Sequence, residues 1–226
     1  MRAFRTALAA ASAAVLLAPA CVLTDHEDGI EVTVAIAHLP APAGAWPAGV
    51  SLDAAFVTVT GVEIVRCPED KPGAPGAWRA WLGESVAQAH SQGTPTRLGV
   101  PAVEDLLAPA AAPRALGTLH APPGRYCSVR LTLGPADDDA LGLAADPTML
   151  GMSARLAGSV DSQCATEQVV EAALAAPIDV SDDARTAELV LTLDAATLFD
   201  GIDPADPAQT EGAACAAAAN VARSVH

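Results

Sequence analysis

Residues 29–38 of the chain are Gly-Ile-Glu-Val-Thr-Val-Ala-Ile-Ala-His. Every second position in this stretch is a large apolar residue: Ile30, Val32, Val34 and Ile36. Because successive side chains of a strand point to opposite faces of a sheet, this period of two predicts a half-buried β-strand. We expect it to be the first strand of the domain.

Further short strands are expected, separated by turns rich in proline and glycine. Residues 116–120 and 126–133 flank Pro122-Pro123-Gly124, which is typical of a hairpin. The other strand candidates are at residues 50–66, 78–82, 149–160 and 187–193. A bulge is expected at Gly61 within the first of these. Residues 167–176 fit either a helix or a strand. An alanine-rich helix is expected at residues 210–224. The pattern predicts an all-β fold, an antiparallel β-sandwich with a short C-terminal helix.

The composition limits what this domain can bind. The chain has 226 residues, of which 51% are hydrophobic, which is sufficient for one domain with its own core. Its 12 basic and 27 acidic residues give a formal net charge of −15. Phosphate backbones and anionic lipid headgroups would repel such a chain. The charge therefore argues against nucleic-acid binding, and contact with a membrane would require an anchor.

The first 20 residues are typical of an export signal. Arg2 and Arg5 precede an apolar run that is too short to cross a bilayer as a helix. Ala18 and Ala20 fit cleavage by an ordinary signal peptidase. Residues 17–21 also resemble a bacterial lipobox, and in that case Cys21 becomes the first mature residue and carries a lipid.

The number of cysteines favours the lipid anchor. Five cysteines in an exported protein leave one thiol unpaired. If Cys21 carries a lipid, an even set remains for an oxidising compartment: Cys67, Cys127, Cys164 and Cys215. We therefore expect a signal peptide at residues 1–20, a lipidated tether at residues 21–28 and one domain at residues 29–226. The expected location is the cell envelope, and the alternative is a soluble periplasmic protein.

Four cysteines allow three pairings, of which the strand pattern favours one. Cys67 ends one strand candidate and Cys127 begins another, so a disulfide between them would join neighbouring strands. Cys164 would then pair with Cys215 and attach the C-terminal helix to the sandwich. The chain has no C-x-x-C spacing, which argues against a thiolate zinc site or a thioredoxin-like redox pair.

Histidines are the candidate metal ligands. His38 ends the first strand, His120 precedes the hairpin turn, and His90 lies in an expected loop. We expect these three residues to meet at one edge of the sandwich and form a metal site; the alternative is that each is an ordinary surface histidine. Imidazole suits copper or zinc, and an acidic exported protein attracts either cation.

Two other patterns suggest different chemistry. Residues 83–87, Gly-Glu-Ser-Val-Ala, approach the nucleophile elbow of a hydrolase at Ser85, but alanine stands where that motif has glycine. Carboxylates at residues 137–139 and 200–206 lie in expected loops, where calcium ligands are often found, yet neither run matches an EF-hand. We expect Ser85 to be a turn residue, the carboxylates to be solvated, and the protein not to be an enzyme.

Several segments, in order along residues 29–225, resemble the MbnP-like family of exported bacterial proteins. They are the strand at residues 56–65, Pro123-Gly124-Arg125-Tyr126 with the strand that follows to Gly134, residues 149–158, residues 198–203, and Ala219-Asn220-Val221. The resemblance implies a β-sandwich, export, and copper held by histidines beside an oxidised tryptophan. Copper is therefore the expected cofactor, with His38, His90 and His120 as its ligands. The alternative function is an interaction lipoprotein without metal that binds another envelope protein.

Overall fold

The computed structural model describes residues 30–68, 95–99, 101–143, 147–181, 183 and 186–225. In this part of the chain, strands form two packed sheets and the α-helices lie in the C-terminal region. The strands are β1 (Ile30–Leu39), β2 (Leu52–Arg66), β3 (Arg97–Leu98), β4 (Ala102–Asp105), β5 (Arg114–Ala121), β6 (Gly124–Leu133), β7 (Ala154–Gly158), β8 (Ser162–Cys164), β9 (Gln168–Val180) and β10 (Thr186–Asp194). The α-helices are α1 (Pro207–Glu211) and α2 (Ala213–Arg223). The expected all-β fold with a short C-terminal helix is confirmed.

The smaller sheet has the strand order β10–β1–β5, and the larger sheet is built around the long strand β2. The second half of β2 pairs with β6 and its first half with β7, while β9 and β8 extend the sheet beyond them. The short strands β3 and β4 also pair with β2. These pairs are antiparallel, as is β1 with β5, whereas β1 and β10 run parallel. The sequence did not indicate this parallel pair.

One hydrophobic core joins the two sheets. The alternating residues of β1 all belong to it, and they are 6% exposed or less: Ile30, Val32, Val34 and Ile36. Val129 and Leu131 of β6 reach the same core from the larger sheet. Burial of each such side chain contributes about 1.5–3 kcal/mol, so the period of two is sufficient to fix which face of each strand is buried.

Most of the expected elements form with small shifts of their ends. The register of β2 with β6 is irregular at Gly61, where a bulge was expected. The segment at residues 167–176 is a strand from residue 168 onward, as part of β9, and the expected helix at residues 210–224 is divided into α1 and α2 at Gly212. The strand expected at residues 78–82 and the signal peptide and tether lie outside the described residues.

Both expected disulfides are present. Cys67 is bonded to Cys127, with Cα atoms 4.9 Å apart, and joins the end of β2 to β6. Cys164 is bonded to Cys215, with Cα atoms 5.1 Å apart, and joins the end of β8 to α2. Helix α2 in turn contacts strands of both sheets and buries its alanine face in the shared core. The second disulfide therefore holds the helix against the sandwich.

Tyr126 lies at the hairpin between β5 and β6 and is fully buried. Its hydroxyl donates a hydrogen bond to the carbonyl oxygen of Pro122 at 2.8 Å, in a manner similar to the tyrosine corner of other sandwiches. Burial raises the pKa of this phenol above its ordinary value of 10.0, although the nearby Arg66 guanidinium acts in the opposite direction. The ionised phenolate is thus disfavoured in the folded protein.

Tyr126 is the only tyrosine in the chain, so its ionisation can be followed directly by ultraviolet absorbance. We expect a titration midpoint above 10.0 in the folded protein. Because the folded state holds the proton more tightly than the unfolded state, the associated stability is present below the unfolded pKa and is lost as pH rises through the folded pKa. Tyr126→Phe should remove the phenolate absorbance. A midpoint at or below the ordinary value would contradict this prediction.

Candidate functional site

His38 is a buried residue of β1 with partners on both ring nitrogens. Its Nε2 lies 2.9 Å from the carbonyl oxygen of Ala108, to which it donates a hydrogen bond. Its Nδ1 lies 3.8 Å from Oε2 of Glu104, an ion pair when the ring is protonated. With only 8% of the residue exposed, His38 is held inside the protein by these contacts.

Glu104 places a buried carboxylate between the two sheets. It belongs to β4 of the larger sheet, is 7% exposed, and accepts a hydrogen bond from the Arg114 guanidinium on β5 of the smaller sheet. Arg114 also donates to the carbonyl oxygen of Val103 at 2.6 Å. We call His38, Glu104 and Arg114 the inter-sheet cluster. Its contacts satisfy a charge that would otherwise be costly to bury.

His120 lies at the opposite end of the smaller sheet from His38. It is an exposed residue of β5, paired in register with Glu31 near the start of β1. Glu31 and His38 are seven positions apart in β1, which corresponds to roughly 23 Å along an extended strand. The structure therefore does not bring His38 and His120 together, and one metal ion cannot bind both. The reason is that β1 and β5 are antiparallel neighbours, so the start of one strand lies beside the end of the other.

The remaining predicted ligand, His90, lies outside the described residues, as do Cys21 and Ser85. Among the residues that the structure does describe, no group of three or more histidine, cysteine, aspartate or glutamate side chains is placed to hold a metal ion. Copper binding stays a prediction, and the metal content of protein purified from its native envelope would test it.

The carboxylates of the two acidic runs, for which the sequence raised calcium as an alternative, have local partners in the structure. Asp206 accepts a hydrogen bond from the Ala208 amide at 2.9 Å and caps α1. Asp203 accepts one from the Ala205 amide at 2.9 Å. The pKa of Asp137 is raised, chiefly by a hydrogen bond with Asp139. These contacts organise the loops in which the carboxylates lie.

Two segments without any charged residue lie at the end of the sandwich opposite the start of β1. They comprise residues 39–50, from the last residue of β1 toward β2, and residues 106–113, between β4 and β5, and we call them the distal tip. The hydrogen bond from His38, next to the first segment, to Ala108 joins the end of β1 to the second segment. Because β1 spans Ile30–Leu39, the tip lies roughly 30 Å from the start of that strand.

The distal tip is fixed in place and presents small apolar side chains to solvent. The indole nitrogen of Trp46 donates to the carbonyl oxygen of Ala195 at 3.0 Å, and its ring packs edge-on against Phe199 with centroids 6.0 Å apart. Leu39 is 46% exposed, and residues 109–113, Pro-Ala-Ala-Ala-Pro, are all exposed. No motif in the sequence marks this surface; its only signal is two uncharged segments in a chain with a net charge of −15.

A shallow groove of about 210 Å³ lies within the tip and is lined by Trp46 and other residues of the first loop. Pockets for small organic ligands usually measure about 300–1,000 Å³ and enclose most of the ligand. The groove is smaller than this, and the shape of the tip suits contact with another surface better than enclosure of a small molecule.

Neither α-helix of the described chain is long and apolar enough to cross a membrane. The resemblance to the MbnP-like family remains a prediction from the sequence. Comparison of the chain with protein-family models, with curated proteins and with solved structures gave no match.

Proposed function

We propose that the chain is an exported, lipid-anchored envelope protein without enzymatic activity, and that it binds another envelope protein through the distal tip. The observation that carries this proposal is the position of the uncharged tip, at the far end of β1 from the segment that leads to Cys21. An anchor at Cys21 would leave the tip directed away from the attachment point. Two disulfides are consistent with an oxidising compartment.

The chemistry of the tip supports a protein partner. Charged residues are depleted at the centres of protein interfaces because their desolvation is costly, and neither loop of the tip contains one. Alanine and proline also lose almost no side-chain entropy when they are buried. Elsewhere the net charge of −15 opposes close approach of another acidic protein. The tip is therefore a surface that can be buried without desolvating a charged side chain.

The test is crosslinking in the native envelope from a photoreactive residue placed at the tip. We expect a discrete product with one envelope protein. Ala111→Glu places a carboxylate on the exposed tip, and burial of this unpaired charge should reduce the yield at least tenfold, which corresponds to about 1.4 kcal/mol. The matched control is Ala216→Glu on the exposed side of α2, which should leave the yield unchanged. Equal yields from both variants would exclude the tip as the contact surface.

The anchor is tested in the same cells. Cys21→Ser should move the protein from the membrane fraction to the soluble fraction, because the lipid can no longer be attached. Membrane association that persists in this variant would contradict the anchor and leave the crosslinking result to decide the role of the tip.

A further inference from the structure

The disulfide between Cys164 and Cys215 joins a buried cysteine to a partly exposed one. Cys164 at the end of β8 is 2% exposed. Cys215 is partly exposed and lies in the first turn of α2, a helix of 11 residues. A thiolate in the first turn of a helix is stabilised by the helix dipole and has a lowered pKa. The thiolate that Cys215 forms on reduction would therefore be stabilised by its position in the helix.

Two side chains offer hydrogen bonds to the sulfurs of this disulfide. The Thr166 hydroxyl lies 3.4 Å from Sγ of Cys164 and 3.7 Å from Sγ of Cys215, and the Gln168 side-chain amide donates to Sγ of Cys164 at 3.5 Å. Gln168 also donates to the carbonyl oxygen of Cys215 at 3.3 Å, which fixes the orientation of the amide. A thiolate accepts such bonds more strongly than a disulfide sulfur does, because hydrogen bonds to charged groups are stronger. Both products of reduction are thus stabilised.

The other disulfide also joins a buried cysteine, Cys67, to a partly exposed one, Cys127, but its local environment differs. Cys67 follows the end of β2 and Cys127 lies within β6, so neither residue is at a helix terminus. Among the described residues, no side-chain donor reaches the sulfur of either cysteine. Stabilisation of the thiolates makes a disulfide easier to reduce, so the two bonds should differ in reduction potential.

We propose that Cys164–Cys215 is a redox-sensitive switch on the C-terminal helix, opened by an envelope dithiol oxidoreductase, while Cys67–Cys127 remains oxidised. A thiolate of the reductant attacks Sγ of Cys215, the more exposed of the two cysteines, the disulfide breaks, and the electron pair leaves on Cys164. The second thiol of the reductant, as its thiolate, then attacks the mixed disulfide and releases the Cys215 thiolate. The dithiol is oxidised to a disulfide, and two electrons pass to the cysteine pair.

Other contacts keep α2 in place after the bond opens. The Ser162 hydroxyl accepts a hydrogen bond from the Ala214 amide and donates one to the carbonyl oxygen of Glu211, both at 3.1 Å. The Asn220 amide donates to the carbonyl oxygens of Leu198 and Asp200. The switch therefore changes how firmly the helix is held, without unfolding the sandwich.

The experiment equilibrates the purified protein with buffers of reduced and oxidised dithiothreitol. Free cysteines are alkylated and identified by mass spectrometry. We expect the midpoint for Cys164 and Cys215 to be reached at a reduced-to-oxidised ratio at least tenfold lower than for Cys67 and Cys127. When Cys164–Cys215 is reduced and Cys67–Cys127 is still oxidised, the far-ultraviolet circular dichroism should retain its β-sheet signal. Equal midpoints, or earlier reduction of Cys67–Cys127, would overturn the proposal.

The roles of the two donors are tested separately. The double variant Thr166→Val with Gln168→Leu should shift the Cys164–Cys215 midpoint severalfold toward more reducing conditions, because the Cys164 thiolate loses its hydrogen bonds. The control Gln163→Leu alters an exposed glutamine of β8, the strand that ends at Cys164, and should not shift the midpoint. If the double variant behaves like the control, the donors do not set the potential, and the assignment of the switch fails.

Discussion

Arg114→Met is expected to lower the free energy of unfolding by about 3 kcal/mol, because it leaves the Glu104 carboxylate buried without its charged partner. The side chain of Glu104 is 9% exposed, so water cannot replace the lost contact. Methionine retains the aliphatic volume of arginine, and the loss should therefore reflect charge more than packing. Equilibrium unfolding in urea measures the difference.

The matched control is Arg125→Met, which removes an ion pair of the same type from the surface. Arg125 and Asp179 lie 3.6 Å apart, with side chains 49% and 76% exposed. Exposed pairs contribute about 0–1 kcal/mol, so this variant should be nearly neutral. Replacing both buried partners, with Glu104→Leu added to Arg114→Met, should recover part of the loss, because no stranded charge remains. A loss below about 1 kcal/mol for Arg114→Met alone would show that the cluster is not a stabilising contact between the sheets.

Gly158→Ala is expected to cost about 3–5 kcal/mol of unfolding free energy, combining backbone strain with overpacking. Gly158 ends β7 at a φ of +140°, a conformation that residues with side chains rarely adopt. A Cβ atom there would lie 2.3 Å from the carbonyl oxygen of Ser51 and 2.8 Å from the Cα of Leu52. Both are backbone atoms, which cannot rotate away.

Gly151→Ala separates strain from collision. Gly151 has a φ of +77°, but a Cβ atom would meet nothing within 4 Å. This variant should therefore lose only about 1–2 kcal/mol from the left-handed backbone. Thermal or urea unfolding of the two variants tests the difference. Equal losses would mean that the backbone at the start of β2 moves to accommodate the methyl group at residue 158.

Features marked by a local sequence pattern, such as alternation along a strand or the end of a strand, were predictable from the sequence. The alternation in β1 identified the buried face, since each side chain is placed by its own position along the strand. The cysteine pairs followed from the ends of strand candidates. For β9, the alanine and glutamate content was also compatible with a helix. The segment forms a strand because it pairs with β6, and such tertiary contacts override intrinsic propensity.

The direction in which neighbouring strands pair was not predictable. Whether His38 and His120 meet depends on the direction in which β1 and β5 pair, and the residues of either strand fit both directions. The partners of His38 come from β4 and from the loop after it, about 70 residues further along the chain, as the contact with Ala108 shows. A histidine at a strand end therefore suggested a ligand, whereas its environment is that of a buried structural residue.

The parallel pair of β1 and β10 has a consequence for the order in which the protein is assembled. The first strand of the domain lies between β5 and the last strand, β10, so one of its two edges stays unpaired until almost the whole chain is available. Closing so long a loop carries an entropic cost and slows folding. If the chain crosses a membrane from its N-terminus, the smaller sheet can be completed only near the end of translocation. Until then, the open edge of β1 is a site for misassociation with other unfolded chains.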